Sequence, residues 1–494
     1  MKLQLIILGL GVWLWLSCTH VSQVQSTGEF ASLQSQIDQL LDDTYSDNAH
    51  WGVYITSLKT GKVWYSRNYN KLFMPASNTK LVTTTAAYRL LGPDFTYRTP
   101  LYYQGSIQDG CLKGNLIVVG QGDPSISPSF YSTIDQVFDQ WCQAIKKSGI
   151  QRIDGNLVGQ IHLFSDEILG QGWAWDYQSD YYAAQIAALC YNDNVIDIKI
   201  KYNPSKSQPW DITMSPDSSY LQVIRTNLKV VPKGMAGGIN AIRSIATNQI
   251  SLEGSIDSSS EWKTSVTIDN PNLFYLRALR ACLQKNGIVF SGDLKLENDS
   301  TAFKNLNPAP VLITEYQSPT LSEITRVILK VSHNLMAEQV FRTLGLRFRG
   351  YGSTRNAVDV IKNEYFSSIG IDPERIQLYD GSGLARYNLI APRDFVTMLE
   401  TMARSKAFES YYPCLPIAGT DGTISGRMKT GPAAKNVHAK TGFISNARAL
   451  SGYVTTRQGE MLAFSMILNN YTAPTQYANN VQDKICTMLA DYNH

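Results

Sequence analysis

Two short serine motifs stand far apart in this chain, and their separation restricts the folds open to it. Ser77-Asn78-Thr79-Lys80 reads S-x-x-K, Ser332-His333-Asn334 reads S-x-N, and Lys440-Thr441-Gly442 completes a set of three. The first two serines lie 255 positions apart, while Lys440 follows Ser332 by 108. If one site holds all three, its scaffold must be interrupted. The helices needed to join the first two motifs use far less chain than the first gap provides. A structureless loop of roughly 200 residues is foreign to a compact protein, so the gap must hold inserted domains. A chain of 494 residues is also too long for one ordinary domain.

The first motif has a chemical logic. A serine hydroxyl is a poor nucleophile near neutral pH and needs a base beside it. Residues i and i+3 share a helix face, so a helix here sets Lys80 beside Ser77. The run 80–91 after Pro75-Ala76 reads as a buried helix ended by Gly92-Pro93. Ser77 then sits in the first turn, where free backbone N–H groups favour developing negative charge.

Each short motif recurs, and context selects among the copies. A second S-x-x-K begins at Ser260, S-x-N recurs at Ser46 and Ser66, and K-T-G recurs at Lys59 and Lys429. Ser260 follows Ser258-Ser259 in a polar stretch that reads as a solvated turn. Ser46 and Ser66 precede the nucleophile, which is the wrong order. Lys59-Thr60-Gly61 separates two alternating segments, 50–56 and 62–65, and reads as a hairpin tip. Lys429-Thr430-Gly431 is followed by Pro432, which has no N–H to offer an oxyanion. Phe443, after Gly442, has one. These contexts select Ser77, Ser332 and Lys440.

The first residues form a targeting segment. Lys2 is a short basic region, and 3–16 is almost wholly apolar. Such a run is shorter than the ~20 residues of a membrane helix, so 1–25 reads as a signal peptide. Cys18 follows Leu16-Ser17 and resembles the acceptor of a bacterial lipoprotein signal, although Trp15 departs from the usual aliphatic residue. Lipid at Cys18 would fix the protein to the outer membrane; the alternative is plain secretion after cleavage near residue 25. Either way an exported, periplasmic protein is expected. Cys111, Cys142, Cys190, Cys282, Cys414 and Cys486 remain, too scattered for a dense disulfide framework, so bridges and buried thiols stay equally open. The six histidines are scattered, with no H-E-x-x-H and no paired C-x-x-C, so neither metal nor cofactor is expected. A net charge of +3 without a basic run gives no reason to expect nucleic acid.

Both ends of the chain suit one α+β unit. Residues 29–43 carry helical apolar spacing at Phe30, Leu33, Ile37, Leu40 and Leu41. The hairpin 50–65 and the helix after Ser77 follow. Beyond Gly442, 450–455 and 461–468 read as strands around Arg457-Gln458-Gly459, and 476–492 reads as a closing helix. These pieces can pair into one antiparallel sheet flanked by helices. Within the gap, 114–120, 153–161, 196–202, 250–252 and 265–268 read as strands, with turn clusters at 203–205 and 257–259. The expected division is 26–95 with 306–494 as the main domain, 96–198 with 264–305 as an insert, and 199–263 nested inside it.

With its motifs in this order the chain resembles the class C low-molecular-mass penicillin-binding proteins. Longer runs carry the resemblance: Asp380-Gly381-Ser382-Gly383-Leu384 with Arg386, Gly122-Asp123-Pro124, and Gly172-Trp173-Ala174-Trp175-Asp176. Leu415-Pro416-Ile417-Ala418-Gly419, with Asp421-Gly422-Thr423, then leads into His438-Ala439-Lys440-Thr441-Gly442. Ala385 departs from the pattern, where the family often has a second serine. The resemblance implies a β-lactamase/transpeptidase-like domain, an antiparallel sheet flanked by helices, carrying two inserted domains. It implies a serine D-alanyl-D-alanine carboxypeptidase and endopeptidase acting on peptidoglycan stem peptides, with β-lactam antibiotics as covalent inhibitors.

In that reading Ser77 attacks, neutral Lys80 is the general base, and Ser332 relays a proton to the leaving amine. Asn334 orients Lys80 and the substrate backbone, and Lys440 and Thr441 hold the terminal carboxylate. The N–H groups of Ser77 and Phe443 flank Gly442 as an oxyanion hole. A charge on Lys440 is expected to help keep Lys80 neutral. Asp380, Gly381 and Ser382 are expected to support the site, and His333 to pack or face solvent. A serine β-lactamase, a crosslinking transpeptidase and a non-catalytic wall-binding protein are the alternatives. The long insertion, the family's hydrolytic character and the intact motifs speak against them in turn.

Overall fold

The computed structural model describes residues 30–43, 47–216 and 219–493; the signal segment, Cys18 and Ser46 lie outside them. At its centre is a five-stranded antiparallel sheet built from both ends of the chain. Across the sheet the strands are His438–Ile444, Ala447–Thr455, Met461–Asn469, His50–Ser57 and Val63–Arg67. The two ends join where His50 pairs with Asn469 and Ser57 with Leu462.

Strand periodicity divides the core in two. Leu450, Leu462, Phe464, Met466 and Leu468 face Leu33, Ile37, Ile485 and Leu489 of the terminal helices Ala31–Leu41 and Thr475–Asp491. Ala449, Tyr453, Ala463 and Ile467 face the helices Thr79–Leu90, Leu321–Lys330, Asn334–Arg349 and Pro392–Ala403. The helix after Ser77 is buried from Thr79 through Tyr88. Its threonines would weaken an isolated helix. Here Thr84 and Thr85 donate to the carbonyls of Lys80 and Leu81 at 2.7 and 2.5 Å, and Thr83 donates to the Gly381 carbonyl at 2.7 Å. Each hydroxyl thus has an acceptor in an apolar setting.

Between residues 98 and 317 the chain leaves this unit. A seven-stranded sheet begins with Arg98–Gln108 and Cys111–Val119 and is backed by the helices Gln136–Lys147 and Pro271–Lys285. Its last strand, Val311–Gln317, pairs with Arg98–Gln108, so this sheet extends past residue 306, where the sequence suggested a return to the main domain. The run 153–161 is two short strands, Arg152–Ile153 and Leu157–Gln160. Between them Gly155 lies so close to Gly114 that a Cβ would stand 2.1 Å from its carbonyl oxygen. Two three-stranded sheets are nested further in. One comprises Val195–Tyr202, Trp210–Ser215 and Glu261–Thr267; the other comprises Gln222–Val231, Gly238–Arg243 and Gln249–Asp257. They share an apolar core with the seven-stranded sheet.

The six cysteines from Cys111 onward are free thiols, and Cys142 and Cys282 face each other with sulfurs 3.8 Å apart. Among the described residues no helix is long and apolar enough to cross a membrane, and no side-chain cluster could hold a metal ion.

Candidate active site

All three motifs converge at the free edge of the central sheet. After Pro75 the chain makes one tight turn, Ala76–Asn78, and enters the helix Thr79–Leu90. Lys80 reaches back from that helix, placing Nζ 3.1 Å from Ser77 Oγ. The same nitrogen donates to Asn334 Oδ1 at 2.6 Å and to the Ser382 carbonyl at 2.7 Å. Asn334 begins the helix Asn334–Arg349, and Ser332 precedes it with φ of 61°. Ser332 Oγ accepts a bond from Lys440 Nζ at 2.9 Å. Lys440 also donates to the Thr441 carbonyl at 2.7 Å, and Thr441 Oγ1 donates to Thr423 Oγ1 at 2.8 Å.

The other copies of the motifs stay outside the site. Lys59-Thr60-Gly61 is an exposed hairpin turn, and Lys429-Thr430-Gly431 is an exposed loop. Ser260 donates to Asp257 at 2.6 Å, while Lys263 pairs with Glu261 at 2.9 Å.

Close backbone contact brings the edge strand to the serine. A Cβ on Gly442 would stand 2.4 Å from the Pro75 carbonyl oxygen. One on Gly383, itself at φ of 84°, would stand 1.9 Å from the Ala76 carbonyl oxygen. Both approaches require glycine. Behind the turn, Asn78 Nδ2 donates to Ser451 Oγ at 2.6 Å, and Ser451 donates to Ser465 at 2.8 Å. This buried polar chain fixes the Ser77 turn to the sheet. In front lies a cleft of about 280 Å³ lined by Ser77, Ser332, Asn334 and Phe443, and by Tyr177, Tyr181 and Tyr182 of the insert. The Phe443 side chain stands half-exposed at its rim.

Burial lowers the pKa of Lys80 to about 7, against the opposing pull of Asp380 and Glu338. A large neutral fraction near pH 7 is what a general base needs. The cause differs from the expected one, because desolvation rather than a charge on Lys440 produces the shift. Lys440 is itself driven well below the usual lysine range, first by burial and then by Lys80 and Arg448. Its Nζ meets a hydroxyl and a carbonyl, and no carboxylate among the described residues.

Asp380, Gly381 and Ser382 form the wall behind Lys80. Asp380 accepts the N–H groups of Gly383 at 2.9 Å and Ala385 at 2.7 Å, and the amide of Asn388 at 2.6 Å. It also accepts Trp173 Nε1 at 2.9 Å, which ties the wall to the insert. His333 caps its helix, accepting the Met336 N–H at 3.3 Å, and its Nε2 lies 3.4 Å from Asp193.

One residue the motifs do not reveal is Glu338. It is buried four positions after Asn334, and its carboxylate accepts the N–H groups of Gly381 at 3.0 Å and Ser382 at 2.7 Å. It therefore grips the peptide group next to the carbonyl that holds Lys80. Burial and then Asp380 push its pKa up. The available signal was the i, i+4 spacing from Asn334 on one helix face. Glu338→Gln removes a charge that favours protonated Lys80 and turns one acceptor into a donor. The acid limb of activity should move to lower pH, because the Lys80 pKa falls further. Stability should drop by about 1–3 kcal/mol for the N–H left unpaired. Acylation pH profiles and thermal denaturation check both, and an unmoved limb would contradict an anionic Glu338.

Similarity to known proteins decides the family. The profile of the D-Ala-D-Ala carboxypeptidase 3 (S13) family matches residues 33–492. This chain belongs to that family. A D-alanyl-D-alanine carboxypeptidase of Actinomadura sp. strain R39 is 30% identical over 489 residues, covering 94% of this chain and 86% of the relative. The crystal structure of penicillin binding protein 4 from Haemophilus influenzae matches with a TM-score of 0.79 at 26% identity, covering 93% of this chain and 99% of that one. The same protein complexed with a β-lactam matches with a TM-score of 0.74 at 25% identity, covering 92% and 100%. The chain is a serine-type D-Ala-D-Ala carboxypeptidase with the α+β fold of penicillin binding protein 4.

Proposed function

We propose that Ser77 carries the acyl group in this carboxypeptidase, and that the enzyme also cuts peptide crosslinks in peptidoglycan. The supporting observation is Lys80 Nζ at 3.1 Å from Ser77 Oγ, with the Lys80 pKa near 7. Neutral Lys80 takes the Ser77 proton as Oγ attacks the carbonyl between the two terminal D-alanines. The N–H groups of Ser77 and Phe443 hold the oxyanion, each typically worth about 3 kcal/mol. As the C–N bond breaks, Ser332 passes its proton to the leaving amine and takes the one held by Lys80, which is neutral again. Water then attacks the ester, with Lys80 again the base, and Ser77 regains its proton. Asn334 holds Lys80 in register, and Lys440 and Thr441 take the substrate's terminal carboxylate.

When the amine belongs to a second stem peptide, the same steps cut a crosslink. A β-lactam that presents its ring carbonyl to Ser77 leaves an acyl-enzyme of the same kind. Digestion of crosslinked muropeptides tests this. Free D-alanine from uncrosslinked stems, together with monomers from dimers, is expected. Growth of higher oligomers would indicate a transpeptidase instead, and fast turnover of penicillin a β-lactamase.

Export with a lipid on Cys18 completes the reading, motivated by Leu16-Ser17-Cys18 after the apolar run. Cys18→Ser should move the protein from the membrane fraction to the soluble fraction. A wild-type mature N-terminus beyond residue 20, without lipid, would show plain secretion.

A further inference from the structure

A second groove lies beside the catalytic cleft, and no step of the reaction uses it. Its volume is about 410 Å³, against 280 Å³ for the cleft. One wall is the short 3-10 helix Trp175–Ser179 with Asp180, and the other is the strand Gly238–Arg243 with Trp262. The first wall is shared. Tyr177 and Tyr181 line the cleft, whereas Trp175, Asp176 and Asp180 line the groove. The two depressions are therefore two sides of one stretch of chain.

The lining narrows the chemistry of what fits. Trp175 is 74% exposed, Ile242 51% and Ile245 60%. Exposed apolar residues standing singly need no explanation, but several around one concavity mark a binding surface. The one cation in the lining, Arg243, is buried and committed. Its guanidinium donates to Thr267 Oγ1 at 3.2 Å and to the carbonyls of Thr247 and Gln178 at 2.9 and 3.0 Å. Its backbone N–H donates to Ser179 Oγ at 2.9 Å, which fixes one wall to the other. An anionic ligand finds no free positive group here. Two indoles share the lining with the carboxylates of Asp176 and Asp180, one oxygen of Asp180 already accepting the Tyr182 hydroxyl at 2.7 Å, and this set suits a neutral polyol. Sugar C–H faces cover the rings, and hydroxyl or acetamido N–H groups donate to the carboxylates.

We propose that this groove binds the glycan strand to which the stem peptide in the cleft is attached. The proposal rests on peptidoglycan being the substrate. An extended peptide advances about 3.5 Å per residue, and the groove's wall ends at Asp180, next in the chain to Tyr181 of the cleft, so a stem leaving the cleft over Tyr181 meets the groove.

Trp175→Ala and Trp262→Ala test it on three probes: a short N-acylated peptide ending in D-Ala-D-Ala, the same terminus on a glycan-linked stem, and an uncharged β-1,4-linked N-acetylglucosamine oligosaccharide. Trp175 is exposed, so its removal leaves the core intact. Both variants should cleave the short peptide as wild type does. On the glycan-linked stem, kcat/KM should fall about tenfold, chiefly through KM. Wild type should bind the uncharged oligosaccharide, and the variants should not. Unchanged rates on the glycan-linked stem overturn the proposal. So does an equal loss on both peptides, which would make the groove a prop for the cleft. A wild type inactive on the short peptide would strike the substrate reading instead. Binding of the oligosaccharide needs no turnover and still judges the groove.

Discussion

Ser77→Ala should abolish covalent labelling by a fluorescent penicillin and lower peptide hydrolysis by on the order of a million-fold, the scale seen when a serine hydrolase loses its nucleophile. The size of the effect follows from what is left behind. Lys80, Asn334 and Lys440 remain in place, but no atom can accept the acyl group, and only binding and oxyanion stabilisation survive. Ser260→Ala should label normally, since that hydroxyl is held by Asp257 in a turn between two sheets of the insert and Lys263 is paired with Glu261. In wild type the acylation rate should rise with pH through about 7, because the proposed mechanism uses Lys80 deprotonated and its pKa is lowered to about 7. Labelling that persists in a folded Ser77→Ala protein would remove the foundation of the proposed mechanism.

The elements nearest the chemistry are also the ones most legible in the sequence, for a physical reason. Strands buried on both faces read as nearly continuous apolar runs, as in Met461–Asn469 with Ser465 inside it, and the buried helix Thr79–Leu90 ends at its Gly92 stop. The inserts are harder. Val311–Gln317 has an exposed Val311 and Leu312 and a single buried position, so nothing in its pattern places it in the insert's sheet. Gln136–Lys147 is readable from Val137, Phe138, Trp141, Cys142 and Ile145 at helical spacing, a signal that a motif search does not use. Within the site, Glu338 is hidden because its role depends on where Gly381 and Ser382 arrive in space. The tyrosines of the cleft come from 3-10 turns of five and three residues, too short to show a period. The cause of the Lys80 shift is hidden for a related reason. A sequence shows which charges exist, but desolvation depends on how completely Asn334, Ser382 and Ser77 close around the amine.

That difference in cause gives Lys440→Ala a distinctive signature. Lys440 is buried without a counter-ion, and its proton is held more weakly than that of an ordinary lysine. A substrate carboxylate entering beside it supplies the missing charge, so binding and protonation reinforce each other. Wild type should therefore prefer a free terminal carboxylate over its carboxamide by about ten- to a hundredfold in kcat/KM, the range for one hydrogen bond to a charged group. Lys440→Ala should erase that preference and bring both substrates to the carboxamide's rate. Its acid limb should stay near pH 7, because burial rather than Lys440 depresses Lys80. A limb displaced to higher pH would show that Lys440 is charged in the free enzyme and helps to hold Lys80 neutral by like-charge repulsion. Lys429→Ala, on an exposed loop ahead of Pro432, should change neither the preference nor the limb. If Lys429→Ala is instead the crippled variant, the carboxylate does not bind at the edge strand, and the role assigned to Lys440 fails with it.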